Sequence, residues 1–563
     1  MRAMRTFMLM LGLAMTVAIG CNGGTTPPTN DTGPRGDTGP VIGHDAGPPI
    51  DGGPITPPTS TCGAPIMPVD TTHADHVVGT GTAASCTQDA LRAAAMMGGT
   101  ITFNCGGDAT ITITTVISVP TDRATTMDGG NHVTLDGGGT SQILSFSHPD
   151  YRHDTNVLTL QHLTLRHGRV SGTMPYASAP APCSQGFYDG FGGAVVVRDG
   201  TLHVFDCVFE GNQAASLGPD VGGGAISLNG ALGAVIVSST FRANRGSNGG
   251  AIQVLNSDLD VYDSAFEANI AEGNGANGDD MSMCPVMAMT HQYQTGSGGN
   301  GGAIVIDGGS DAMHTFCGVT FRANASGDNA LGGAIFRTPD GATQTTRIDR
   351  CTFDANTSPH GGALYFHNSR LQIHASTFHA NVSSHGCGAI QSDGSHFDFV
   401  NDTFEGNVAM LGLGGAVCSF GGDGTIAFTT FANNHADGGD PYFGAALAGN
   451  PTLTLTSDLF VNNTARNPGA PMQCMSNGTG EGDIQFPRNH VVGGGADALC
   501  TPTITFADPM LGAIGAHGGA TPTLVPAGGS PAIGHGVSCP MFDQRGMPRP
   551  TSACTSGAVE GSS

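Results

Sequence analysis

The sequence predicts an all-β right-handed parallel β-helix: a solenoid of about 13–14 coils, three short strands per coil, with a short N-terminal capping helix. Three observations predict it. A Gly-Gly-Ala-aliphatic motif recurs at Gly192, Gly223, Gly249, Gly301, Gly332, Gly361 and Gly414, with degenerate copies at Cys387 and Gly444. A Phe-x-x-Asn motif recurs at Phe209, Phe241, Phe266, Phe321, Phe353, Phe378, Phe404, Phe431 and Phe460, interleaved with the first at a period of 25–32 residues, longer only after Gly249. Between the two motifs apolar residues alternate, as in Ile252/Val254 and Leu259/Val261, so each unit is a set of strands. One such unit cannot bury a face alone; stacked copies can, with like residues rising in columns about 4.8 Å apart.

Residues 1–20 read as a secretory signal, with Arg2 and Arg5 before an apolar stretch too short to span a bilayer. Ala18-Ile19-Gly20-Cys21 resembles a bacterial lipobox, which makes Cys21 the candidate lipidation site, although a Leu is usual where Ala18 stands. Asn22 then resembles an outer-membrane sorting signal. Ala18-x-Gly20 also suits ordinary signal peptidase, so a lipid-anchored protein of the outer membrane or cell surface and a secreted soluble one are both open. Residues 21–61, rich in Thr, Pro, Gly and Asp, read as a disordered tether. Its Arg35-Gly36-Asp37 tripeptide is ascribed to chance.

The β-helix is expected over 62–505. Cys86 to Ala95 forms an amphipathic capping helix near 80–98, because an open first coil would be an aggregation-prone edge. Alternating stretches from Thr100 to Gly168 supply about four coils that lack the glycine motif, and the full repeats run over 192–463. Loop insertions fall near 171–190 and 272–299. Within the repeats, Phe should stack as an aromatic ladder, the Asn should occupy a left-handed turn and bond its neighbour, and Gly-Gly-Ala should mark a tight corner. Residues 506–563 form a distinct C-terminal segment.

Composition narrows the partners. The 563 residues include 89 glycines and 33 prolines, and the formal charge is −25. All 20 basic residues are arginine. A nucleic-acid surface is therefore not expected, and lysine chemistry is excluded. Besides Cys21 there are fourteen cysteines, which suits an oxidising compartment. Cys86/Cys105, Cys183/Cys207, Cys474/Cys500 and Cys539/Cys554 are candidate disulfides, with connectivity left open.

No catalytic, cofactor-binding or metal-binding set is expected. Asp279-Asp280 in the 272–299 insertion is the best acidic group, and a solvated loop is the plainer reading. Asp258, Asp260 and Asp263 are expected outward on one coil, with Arg347, Asp349 and Arg350 about three coils later. The residue after each repeat Phe (Glu210, Arg242, Glu267, Arg322, Asp354, His379, Glu405) roughly alternates in sign, which predicts an exposed ion-pair ladder. Six histidines, His360, His367, His374, His379, His385 and His396, crowd one stretch; His360 and His385 precede successive corners and are expected to stack.

The interleaved GGAI and FxxN copies resemble the chlamydial polymorphic outer membrane protein repeat, and the N-terminal coils are similar to the pectin-lyase-like superfamily. The order FADPMLGAIGAHGGATPTL, GGSPAIGHG, DQRGMPRP, GAVE looks like a choice-of-anchor Q domain of bacterial surface proteins. The resemblance implies the fold more than an activity. The expected role is non-catalytic, adhesive, binding or structural, at a bacterial surface, with a surface glycan or a protein of a host or neighbouring cell as partner and the membrane reached through a lipid at Cys21. The alternative is a polysaccharide lyase or glycoside hydrolase acting on an acidic glycan, the only case in which Ca²⁺ is expected.

Overall fold

The computed structural model describes residues 62–561, apart from 150–155, 176–186, 219, 274, 276–297, 309–312, 339–343, 438–443, 466–472, 475–477 and 488–498. The signal, Cys21, the tether, Asp279-Asp280 and most of both loop insertions lie outside the described residues.

The fold is a parallel β-helix. Following one column of Cα partners shows the stack: Val77, Thr102, Asp128, Gln161, Phe205, Val237, Tyr262, Cys317, Asp349, His374, Val400, Ala427, Thr456 and Glu481 succeed one another in parallel register. These fourteen rungs match the expected number of coils. A repeat such as 226–246 contributes a strand to a second sheet (Ile226–Asn229) and two to the long sheet (Gly233–Val237, Thr240–Arg242). A two-residue strand, Arg245–Gly246, follows before the corner, so a full repeat has four pieces rather than three.

Side chains that alternate inward meet their equivalents on the coils above and below. The nine repeat phenylalanines form one ladder, with neighbouring ring centroids 4.6–5.3 Å apart and planes within 12° of parallel. The nine repeat asparagines form another. Asn356 is representative: its Nδ2 donates to Phe321 O and to Asn381 Oδ1, both at 3.0 Å, while its Oδ1 accepts from the backbone N and Nδ2 of Asn324. The left-handed residue of this turn is not the asparagine but the one before it, for example Ala243 (φ 53°), Ala355 (φ 54°) or Ala380 (φ 51°). That corrects the expected placement. Turning the carboxamide inward to reach two coils uses the asparagine's own side chain, so the preceding residue has to make the bend.

The glycine corners follow from steric closeness. Gly223 is left-handed (φ 67°), and a Cβ on Gly224 would sit 2.2 Å from Gly250 O on the next coil. Cys387 fills the first glycine slot on its coil, where it bridges Gly414 and bonds to Cys418.

At the N-terminal end a helix, Gln88–Met97, is capped by Thr87, whose side chain accepts from the Ala90 amide at 3.2 Å. Leu91, Ala94 and Ala95 are buried in the main core with the first coils.

Both flanking segments lie along one edge of the stack. Cys62 is disulfide-bonded to Cys317, 255 residues away. From there the chain descends: Val69 exchanges two hydrogen bonds with Gln161, Thr71 donates to Asp128, and Asp75 accepts from the Thr100 amide on a lower coil. The C-terminal segment covers the same edge higher up. Thr521 bonds Ala375, Gln544 bonds Thr403, Phe542 O accepts from Asn401, and Val537 exchanges two bonds with Ser457. Arg549 bonds Asn401 and lies over the Phe428 ring.

Three of the four candidate disulfides form: Cys86–Cys105, Cys474–Cys500 and Cys539–Cys554. Cys183/Cys207 does not. Cys207 is a free thiol facing the core, where burial pushes it up to about 12, and Cys183 lies outside the described residues.

Candidate functional site

The outward column that follows the repeat phenylalanines is in register, and it is longer than the repeats. Asp136, Arg166, Glu210, Arg242, Glu267, Arg322, Asp354, His379 and Glu405 are successive Cα partners on nine coils. An acid alternates with an arginine or histidine at every step. Arg166 Nε lies 2.8 Å from Asp136, Arg242 Nε 3.0 Å from Glu210, and Arg322 pairs with Glu267. His379 sits between Asp354 at 2.7 Å and Glu405 at 3.3 Å. The column is less exposed than expected, since the side chains of Arg322, Asp354 and His379 are only 7%, 4% and 7% accessible. Neighbours roof the side chains there, whereas Arg166, Glu210 and Arg242 keep 37%, 35% and 42% of their side chains accessible. Beyond Glu405 the column turns apolar, at Ala432, Val461 and Phe486, where Leu511, Ile514, Leu524 and Ala532 of the C-terminal segment pack against it.

The two coils with Asp136 and Arg166 escaped the sequence reading because they carry Leu135 and Leu165 in the phenylalanine slot. The alternation of apolar residues was the signal that could have extended the column.

A second constellation lies at the lower end of the same sheet. The strand Thr125–Asp136 bulges there: Asp128 pairs with Gln161 and Val133 with Leu163, so residues 129–132 oppose His162 alone. Asn131 (φ 62°) and His162 (φ 53°) are both left-handed. Gly129 is needed at this point, because a Cβ would lie 2.5 Å from His162 O. A cavity of about 380 Å³ opens beside the bulge, lined among others by Thr71, Asn104, Asp128 and His132. His162 Nδ1 lies 2.8 Å from Asp128 Oδ1, and His132 Nδ1 lies 2.7 Å from Asp108. Burial works to raise the Asp128 carboxyl, but hydrogen bonds from Thr71, Gln161, the Gly130 amide and His162 outweigh it and hold it below the usual carboxylate range. In the neutral ring, a proton on Nδ1 shared with Asp128 leaves Nε2 as the acceptor, the tautomer a general base requires. The Gly-Gly-Asn run interrupting an alternating strand was the available sequence signal for this bulge.

Other predicted groups do not converge. Asp260 pairs in register with Thr315 and Thr315 with Arg347, so the acidic and basic groups are two coils apart rather than three. Asp263 is 1% exposed, in a left-handed turn, rather than outward. Asp349 is held by Arg350 at 2.6 Å. Of the histidines, His360 and His385 do approach, ring centroids 6.2 Å apart, while His379 joins the charge column and His396 pairs with Asp423. Among the described residues, no three His, Cys, Asp or Glu side chains lie within reach of one metal ion. Comparison with family models, with curated proteins and with solved structures returns no match.

Proposed function

We propose that the chain is an exported surface β-helix with an adhesive, binding or structural role, its C-terminal segment of the choice-of-anchor Q kind and its repeats akin to those of the polymorphic outer membrane proteins. The observation that carries this reading is the nine-coil charge column, whose groups are spent on one another from Asp136 to Glu405. A face of this kind stiffens a rod and presents a regular polar surface. Five disulfides among the described residues support export to an oxidising compartment. A lipid at Cys21 would supply the anchor, and a surface glycan or a neighbouring cell's protein the ligand. Labelled fatty acid incorporated by the wild type and lost in Cys21→Ser tests the anchor; an unlabelled protein in the medium overturns it. Retention of the purified chain on glycan arrays or intact cells tests the binding role.

A second reading, a lyase or hydrolase on an acidic glycan, is favoured by Asp128, which lines the cavity and lies 2.8 Å from His162. Incubation with polyuronates and Ca²⁺, followed by detection of unsaturated or new reducing ends, separates the two. Turnover abolished by Asp128→Asn would establish the enzyme and overturn the binding role.

A further inference from the structure

Arg337 is a cation inside the apolar core. It lies on the strand Ile335–Thr338 with Ile306 below and Phe366 above as Cα partners, and its relative exposure is 0%. Its Nη2 donates to Gln344 Oε1 at 2.6 Å, whereas Nε and Nη1 have no hydrogen-bond partner. A buried guanidinium left in that state is costly.

The atoms without partners around it are N–H donors, apart from one hydroxyl. His314 and Thr346 are inward-facing Cα partners on adjacent coils, both 0% exposed, and Gln344 precedes Thr346 by two residues on the same inward face. The Leu259 amide donates to His314 Nδ1 at 3.2 Å, so the neutral ring carries its hydrogen on Nε2, which has no acceptor. Gln344 Oε1 is taken by Arg337, which leaves its Nε2 amide hydrogens unmatched, and Thr346 Oγ1 is also unmatched. Burial, and then the nearby Arg337 charge, hold the His314 imidazole well below its ordinary range, so it stays neutral. Burial lowers Arg337 only to about 10, and Asp258 draws the other way, so it stays charged at neutral pH. No hydrogen bond joins Asp258 to Nε or Nη1.

Unmatched N–H groups of Arg337, His314 and Gln344, with the Thr346 hydroxyl, therefore occupy inward positions on two adjacent coils beside a positive charge, and none of the four side chains offers a free carbonyl or carboxylate. A water there could accept two of these bonds and donate one hydrogen to the Thr346 hydroxyl, but its second hydrogen would face donors and the guanidinium charge would stay uncompensated. An anion has no such mismatch. The flanking Ile306, Phe316, Ile348 and Phe366 are fully buried, which suits a monatomic ion rather than an oxyanion. We propose that the interior of the coil bearing Arg337 is a binding site for a halide ion, held by Arg337, His314, Gln344 and Thr346.

The test uses the full chain and bromide as probe. Crystals grown without halide and equilibrated with bromide should show an anomalous peak within hydrogen-bonding reach of Arg337 Nε and Nη1. In solution the thermal midpoint should rise with sodium bromide relative to sodium gluconate at equal ionic strength. Arg337→Met should abolish that rise, and Thr346→Val, which keeps charge and volume, should weaken it several-fold; if the first variant does not fold, the second carries the comparison. Waters alone at the guanidinium, a halide response unchanged in these variants, or a bromide peak without a solution response (an adventitious ion only) would overturn the proposal.

Discussion

At the scale of single residues, stability rests on side chains that serve two coils at once. Replacing Asn356 by Ala removes its bonds to Phe321 O and Asn381 and strands the Asn324 amide, all deep in the stack. Buried groups left without partners cost about 1–3 kcal/mol each, so a loss on the order of 4 kcal/mol is expected in denaturant unfolding. A neighbouring column carries titratable groups. Asp402, Asp458 and Asp483 lie two residues before the phenylalanine slot on their coils, and burial raises all three. Asp483 is pushed up to about 6 from 3.8, so between those values the native state keeps a proton that the unfolded chain has released. Stability therefore falls as pH rises through that window, by about 3 kcal/mol for this group, and is unaffected by it below. Asp483→Asn keeps an acceptor for the Asp458 amide; it should match the wild type near pH 4 and exceed it at pH 8. Equal pH profiles for the two proteins would refute this. The repeating Asn was legible in the sequence, but the left-handed residue beside it was not, because propensity favours Asn over Ala there and ladder bonding overrides propensity.

At the scale of elements, the charge column and the C-terminal segment explain each other. The column is polar as far as Glu405 and apolar at Ala432 and Val461, where the segment packs. Val461→Asp would bury a carboxylate against Leu524 and Ala532. It should release the segment, seen as new proteolytic cleavage after residue 505 with the coils still intact. Cys62→Ser should act at the other strap. It opens a 255-residue loop, which chain-entropy arguments value at roughly 2–5 kcal/mol, and leaves residues 62–75 held only by bonds such as those of Val69 and Thr71. The measurement is a lower unfolding midpoint together with cleavage before His76. Strands, corners and the phenylalanine ladder could be read from spacing alone, since stacking repeats the same requirement at each coil. The Cys62–Cys317 bond could not, and the bulge at 129–132 is marked only by its Gly-Gly-Asn run, because each depends on a contact made once, between residues with no periodic relation.

At the scale of the whole molecule, a solenoid faces a problem that its repeats cannot solve, since every coil relies on neighbours and the last has only one. The segment after residue 505 packs along the side of several coils toward that end, reaching from Ala375 to Gly482 along the edge and onto the sheet at Val461 and Phe486. The sequence marked this stretch as different, by its loss of the repeat, without showing where it would lie. Its placement makes a deletion informative. A chain ending at residue 505 should retain the ladders below Glu405, because their contacts are local, yet it would expose Ala432, Val461, Ile484 and Phe486 together with the edge they border. Exposed strand edges beside apolar surface pair with other chains. The shortened protein should keep its β circular dichroism while light scattering shows concentration-dependent association, and adding Val461→Asp to the deletion should reduce that association by charging the uncovered face. A monomeric shortened chain would mean that the coils close their own upper face, and that the C-terminal segment is carried by the solenoid rather than protecting it.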